Sequence, residues 1–87
     1  MKYSDLNWRD QRKIKKVYKR YKYMMFYIAM RILEDDKLAK CTVRRAIIKL
    51  AKYVDKMEKV KSNKTKNFIK IVTEHIAIDL LINRNEE

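Results

Sequence analysis

The chain of 87 residues predicts an all-α fold, a small bundle, and three observations carry that reading. Glycine and proline are both absent, so the two strongest helix breakers are missing. Apolar residues recur at steps of three and four along much of the chain, which is the period of one helix face. At 10.7 kDa the chain is long enough for one compact domain and too short for two, so residues 1–87 read as a single basic helical domain.

The elements follow in order. Ser4 is a good first N-cap, Asp5 falls in the first turn, and Tyr3 with Trp8 occupies the two positions of a hydrophobic staple. Ile14, Val17, Tyr21, Met24 and Ile28 then form an amphipathic stripe, and no breaker interrupts it before the acidic cluster Glu34-Asp35-Asp36. One helix is expected over residues 5–33, roughly 43 Å long at 1.5 Å per residue. Its residues 9–22 carry eight cations and one acid, whereas 23–33 are apolar on nearly every face. The first half should present a solvated basic surface, and the second should be wrapped by other helices.

Asp35 or Asp36 caps a short helical connector, Lys37–Lys40, and Thr42 caps a second main helix over 43–60. Val43, Ile47, Leu50, Val54 and Met57 supply its buried side. The lysine-rich Lys59–Lys66 has little to bury, and its middle reads as a loop. Thr65 caps a third main helix over 66–82, with Phe68, Ile69, Val72, Ile76 and Leu80 inward, and Asn83–Glu87 is a polar tail. Three main helices and a connector make the bundle.

Composition excludes several function classes. Without glycine the chain builds no glycine-rich phosphate loop and no dinucleotide fingerprint. A single cysteine, Cys41, allows no internal disulfide. The segment MKYSDLNWRD lacks the apolar core of a signal peptide, and Tyr23–Leu33 is far shorter than the roughly 20 residues that span a bilayer. The expected location is the cytoplasm, associated with the nucleoid.

Charge is the strongest functional signal. Lysine and arginine number 23 against 11 acids, a formal net charge of +12. Residues 1–33 carry +8 of it, 34–60 carry +3 and 61–87 carry +1, a gradient that solubility alone does not require. Arg9, Arg12, Lys13, Lys15, Lys16, Lys19, Arg20 and Lys22 form a block that repels itself along the first helix, either tolerated for solubility or relieved by an anionic partner. Trp8, Tyr18, Tyr21 and Tyr23 interleave it, and rings so placed either pack at the core boundary or stack on unpaired bases. On the second helix Arg45, Lys49, Lys52, Lys56 and Lys59 repeat at steps of 4, 3, 4 and 3, two positions after the apolar stripe. That places a cation row about 21 Å long opposite the core, either a solvated helix back or a phosphate track.

Thr42-Val43-Arg44-Arg45-Ala46-Ile47, followed by Leu50, resembles the recognition helix of GntR-type helix-turn-helix regulators, with Leu38 and Lys40 at the apolar and basic positions that precede it. In that family the start of this helix enters the major groove. The resemblance implies DNA binding and makes Thr42, Arg44 and Arg45 candidates for phosphate or base contacts. Lys37 stands where the family has its turn glycine, Leu33 where it has a small residue, and Asp36 where it has an apolar one.

No constellation for catalysis is visible, and no metal or cofactor is expected. His75, the single histidine, has Asp79 one turn on and Glu74 beside it, a spacing that suits a boundary ion pair better than a metal site. Nothing in the sequence brings Cys41 to His75. Met24, Met25, Met30 and Met57 read as core filler, and Arg31 should reach the surface or pair with Asp35.

The leading expectation is a non-catalytic nucleic-acid-binding protein, DNA ahead of RNA, that contacts phosphates through Arg9, Arg12, Lys13, Lys16, Lys19, Arg20, Arg44, Arg45, Lys49, Lys52, Lys56 and Lys59. The alternative is a small accessory subunit that docks through apolar helix faces on a larger DNA-replication or transcription enzyme, such as a DNA polymerase, or pairs as a homodimer. A peripheral membrane role ranks below both, because lipid would need the apolar face that the bundle core needs.

Overall fold

The computed structural model describes residues 6–86, with the side chains of Asn85 and Glu86 left aside. Helix α1 runs Trp8–Leu33, α2 runs Asp36–Ala51, one 3-10 turn covers Val54–Lys56, and α3 runs Asn63–Glu86. The fold is the expected all-α bundle of three main helices. Its longest dimension, 40 Å, is essentially the length of α1, and the other two are 26 and 18 Å.

The boundaries differ from those the sequence predicts, and each difference has a local cause. Asn7 caps α1 by accepting a hydrogen bond from the Asp10 N–H at 2.8 Å, so the helix starts at Trp8 and not at residue 5. The proposed cap Ser4, Asp5 and the staple partner Tyr3 lie outside the described residues. At the other end Glu34 adopts φ 52°, ψ 36° and donates its N–H to the Met30 carbonyl at 2.8 Å. Helices commonly end on a left-handed residue, a place usually filled by glycine. This chain has none, so a glutamate takes that conformation.

Asp35 follows in extended conformation and accepts from the Leu38 N–H at 2.9 Å, which starts α2 after a link of two residues, Glu34 and Asp35. The separate connector over 37–40 and the Thr42 cap are therefore corrected to one continuous helix. Thr42 lies in its interior, fully buried, and its hydroxyl donates to the Leu38 carbonyl at 2.8 Å.

Helix α2 stops at Ala51 instead of reaching residue 60. The Lys52 and Tyr53 N–H groups reach back only three residues, to the Lys49 and Leu50 carbonyls, and this tightening turns Val54 into the core at 1% exposure. The third helix starts at Asn63 because Ser62, not Thr65, is its cap. Ser62 Oγ accepts from the Thr65 N–H at 3.1 Å, while the buried Thr65 hydroxyl donates back to the Glu58 carbonyl at 3.2 Å. Helix α3 also continues through the segment expected as a tail, and the Arg84 guanidinium donates to the Leu33 carbonyl at the end of α1.

The main core joins Ile14, Val17, Tyr21 and Met25 of α1 to Val43, Ala46 and Leu50 of α2, to Val54, and to Ile69 and Val72 of α3. A second cluster, Ala29, Leu33, Ala39 and Ala77, closes the far end, where alanines let the three helices come together. Three threonines, Thr42, Thr65 and Thr73, are buried, each with its hydroxyl donated to a backbone carbonyl.

Candidate nucleic-acid interface

Burying Ile14, Val17, Tyr21 and Met25 turns the opposite side of α1 to solvent. That side carries Arg9, Arg12, Lys16, Lys19 and Arg20, all exposed. The N-terminal half of α1 is completed by the linker that follows the 3-10 turn. Lys13, half-buried, donates its ammonium to the Met57 carbonyl at 2.7 Å, and the Tyr21 hydroxyl donates to the Val60 carbonyl at 2.5 Å. These two bonds lay residues 57–60 along α1 and bring Lys59 beside Arg9, Arg12 and Lys16. The result is a groove of about 670 Å³ floored by Met57 and Val60, with Trp8 at one end and no acidic residue in its lining.

No cation of this groove is held in an ion pair among the described residues. Among the described residues the ion pairs are Lys40–Asp36 at 3.0 Å and Lys64–Glu58 at 3.3 Å, and neither involves the groove. Arg12 instead lies over the Trp8 ring, 5.0 Å from its centroid, and Arg20 over Tyr21 at 5.7 Å. Such contacts orient a guanidinium without neutralising it.

The second predicted feature, the row from Arg45 to Lys59, is corrected. Because α2 ends at Ala51, only Arg45 and Lys49 share the helix. Lys52 is its C-cap, and Lys56 lies at the end of the 3-10 turn in a hollow with Tyr53, Lys64 and Phe68. Lys59 is carried across to α1. All five are exposed, but they form no single 21 Å track. Arg44 is also separate: it lines a groove of about 460 Å³ between α1 and α2 with Lys40, Tyr18 and Ile48. Thr42 offers no contact, because it is buried inside α2.

The C-terminal half of α1 is wrapped on one side only, contrary to expectation. Tyr23 and Tyr27 are 76% and 62% exposed, each with a cation near its ring: Lys22 Nζ at 5.1 Å from Tyr23 and Arg31 at 5.8 Å from Tyr27. Arg31 thus reaches the surface, while the Asp35 carboxylate is engaged as the α2 cap. Between this half of α1 and α3 lies a groove of about 580 Å³ whose cations are Arg31, Lys66 and Lys70. Sequence reading did not single out Lys66 and Lys70, since they reach Tyr27 only through the packing of α3 on α1.

His75 is exposed on α3, and among the described residues no three histidine, cysteine or acidic side chains gather as metal ligands. No described helix is long and apolar enough to cross a membrane. Comparison with protein-family models, with curated proteins and with solved structures finds no match for this chain.

Proposed function

We propose that this chain is a non-catalytic nucleic-acid-binding domain, DNA ahead of RNA, that holds phosphates along the outer face of α1. The observation that carries this reading is the acid-free groove formed by Arg9, Arg12, Lys13, Lys16 and Lys59, continued along the helix by Lys19 and Arg20. Gathering like charges costs a few tenths of a kcal/mol for each close helical pair. Phosphates displace that repulsion, and the release of their counterions drives binding.

Five to seven phosphate contacts give a slope of log K against log salt of about −4.5 to −6 on duplex DNA. A titration at several salt concentrations tests this directly, and an affinity indifferent to salt removes the reading. Contact with duplex through α2, as the resemblance to GntR-type regulators implies, would rest on Arg44 and Arg45, both exposed in the middle of that helix.

A second reading, an accessory subunit of a larger DNA-processing enzyme, is favoured by α3. Ile71, Ile78 and Ile82 are 52%, 42% and 48% exposed on the side away from Ile69, Val72 and Thr73. One helix with an apolar inner face and a row of isoleucines outside suits docking on a protein, and it leaves the basic face of α1 clear. A complex with a DNA polymerase that survives nuclease treatment and is lost on Ile78→Asp supports this reading. A complex unaffected by that substitution argues against it.

A further inference from the structure

We propose that Tyr23 and Tyr27 form a stacking platform for unpaired bases, so that the outer face of α1 takes a single strand in preference to a duplex; this rests on the phosphate-binding reading above. Arg12, Lys16, Lys19, Tyr23 and Tyr27 follow one another at steps of 4, 3, 4 and 4 on the side of α1 opposite the core. They form one line about 22 Å long, cationic first and aromatic after.

The two rings stand one helical turn apart, with about 5–6 Å between their Cβ atoms, and both are open to solvent. Lys22 Nζ lies over the Tyr23 ring and the Arg31 guanidinium over the Tyr27 ring. A stacking base takes the face its cation leaves open or displaces the cation, which then stands within reach of that base's phosphate. Beyond Tyr27 the groove toward α3 offers Arg31, Lys66 and Lys70 against one carboxylate, Glu74. A strand leaving the tyrosines therefore finds further cations on the opposite wall.

Duplex and single strand differ in what they can offer this surface. Paired bases are stacked on each other, so a duplex presents base edges and phosphates to a helix but no open ring face. A single strand presents both phosphates and ring faces, and stacking on an aromatic side chain is tolerant of base identity. The cations alone serve either form, and the tyrosines discriminate. Tyr21 plays no such part, because its ring is buried and its hydroxyl is donated to Val60.

The test is fluorescence anisotropy with labelled 12-nucleotide oligo-dT and oligo-rU and a 12-base-pair DNA duplex, each at two salt concentrations. Each Tyr→Ala substitution, at 23 or 27, should weaken single-strand binding by about 5- to 150-fold. Duplex affinity should stay within about twofold, and Tyr23→Phe and Tyr27→Phe, which keep the ring face, should bind single strands like the parent chain. Loss on either single strand with the duplex unchanged supports the platform, and the two oligomers report whether the sugar matters. Equal loss on single strand and duplex, or no loss on either, overturns it. If charge reversal of Arg12, Lys16 and Lys19 abolishes binding while the tyrosine variants match the parent, stacking fails and phosphate binding stands. If no oligomer shows salt-dependent binding, both fail.

Discussion

The Lys13 ammonium donates to the Met57 carbonyl at 2.7 Å, across 44 positions of sequence. A cation in the middle of the basic face is thus used to hold the linker that carries Lys59 into the same groove. An ammonium carries three N–H donors and this bond uses one, so under the proposed function Lys13 would serve both stability and binding.

Replacing Lys13 by Met keeps the alkyl stem and removes the bond. A hydrogen bond to a charged donor contributes about 1.5–3 kcal/mol where it is shielded, and less here because Lys13 is half-exposed. A loss of about 1 kcal/mol, or 4–8 °C in Tm, is expected from thermal unfolding followed by circular dichroism. Tyr21→Phe removes the neighbouring bond to Val60 and should cost a similar amount. An unchanged Tm in both variants means that the linker is held by its apolar contacts alone.

Glu34 offers a substitution in the opposite direction. Its left-handed conformation costs a residue with a Cβ about 1–2 kcal/mol, and glycine takes it without strain. Glu34→Gly should raise stability by about 0.5–1 kcal/mol, because the added freedom of the unfolded chain offsets part of the gain. Glu34→Val, β-branched at a positive φ, should lower it. Denaturant midpoints for the two variants lying on opposite sides of the parent value would bear this out, and the reverse order would not.

How far the sequence carries this structure depends on the range of the interaction. The number of helices and the inward positions Ile14, Val17, Tyr21, Val43, Leu50, Val54, Ile69 and Val72 follow from the helical period, which is a local property. The end of α2 does not. Val43, Leu50, Val54 and Met57 keep helical spacing through a stretch that turns 3-10 at Val54, because a tightened turn also delivers Val54 to the core. The cation row drawn through Lys52, Lys56 and Lys59 failed with that boundary. Conversely the block from Arg9 to Arg20 lies in an unbroken helix, and its exposed face is as the period predicts. Lys59, Lys66 and Lys70 reach α1 through tertiary packing, for which no local pattern exists.

The two basic surfaces should therefore respond differently to charge reversal. Arg12→Glu with Lys16→Glu removes two groove cations and introduces two repelling anions, and at moderate salt should weaken nucleic-acid binding by at least about 100-fold. Lys49→Glu with Lys52→Glu alters cations outside that groove and should weaken it by less than about tenfold, through the general field alone. Anisotropy titrations of the two double variants in one buffer measure the ratio. Equal effects would spread the contact over both helices, and a larger effect for the second pair would move the interface to α2.

Stability gives a separate sign. Lys16 has Arg12 and Arg20 at i−4 and i+4 and Lys13 and Lys19 at i−3 and i+3, all positively charged. Replacing it by Glu turns four repulsive neighbours into attractive ones, each change amounting to a few tenths of a kcal/mol at low ionic strength. Lys16→Glu should raise Tm by several degrees in dilute buffer, with the gain shrinking as salt screens the exposed pairs. The same substitution should weaken binding. A variant that folds better and binds worse identifies the repulsion among Arg12, Lys16 and Arg20 as a cost retained for an anionic partner, since a face selected for stability would have mixed its charges. A Tm unchanged or lowered at low salt would show that this block carries no such strain and would remove the energetic support for a polyanion ligand.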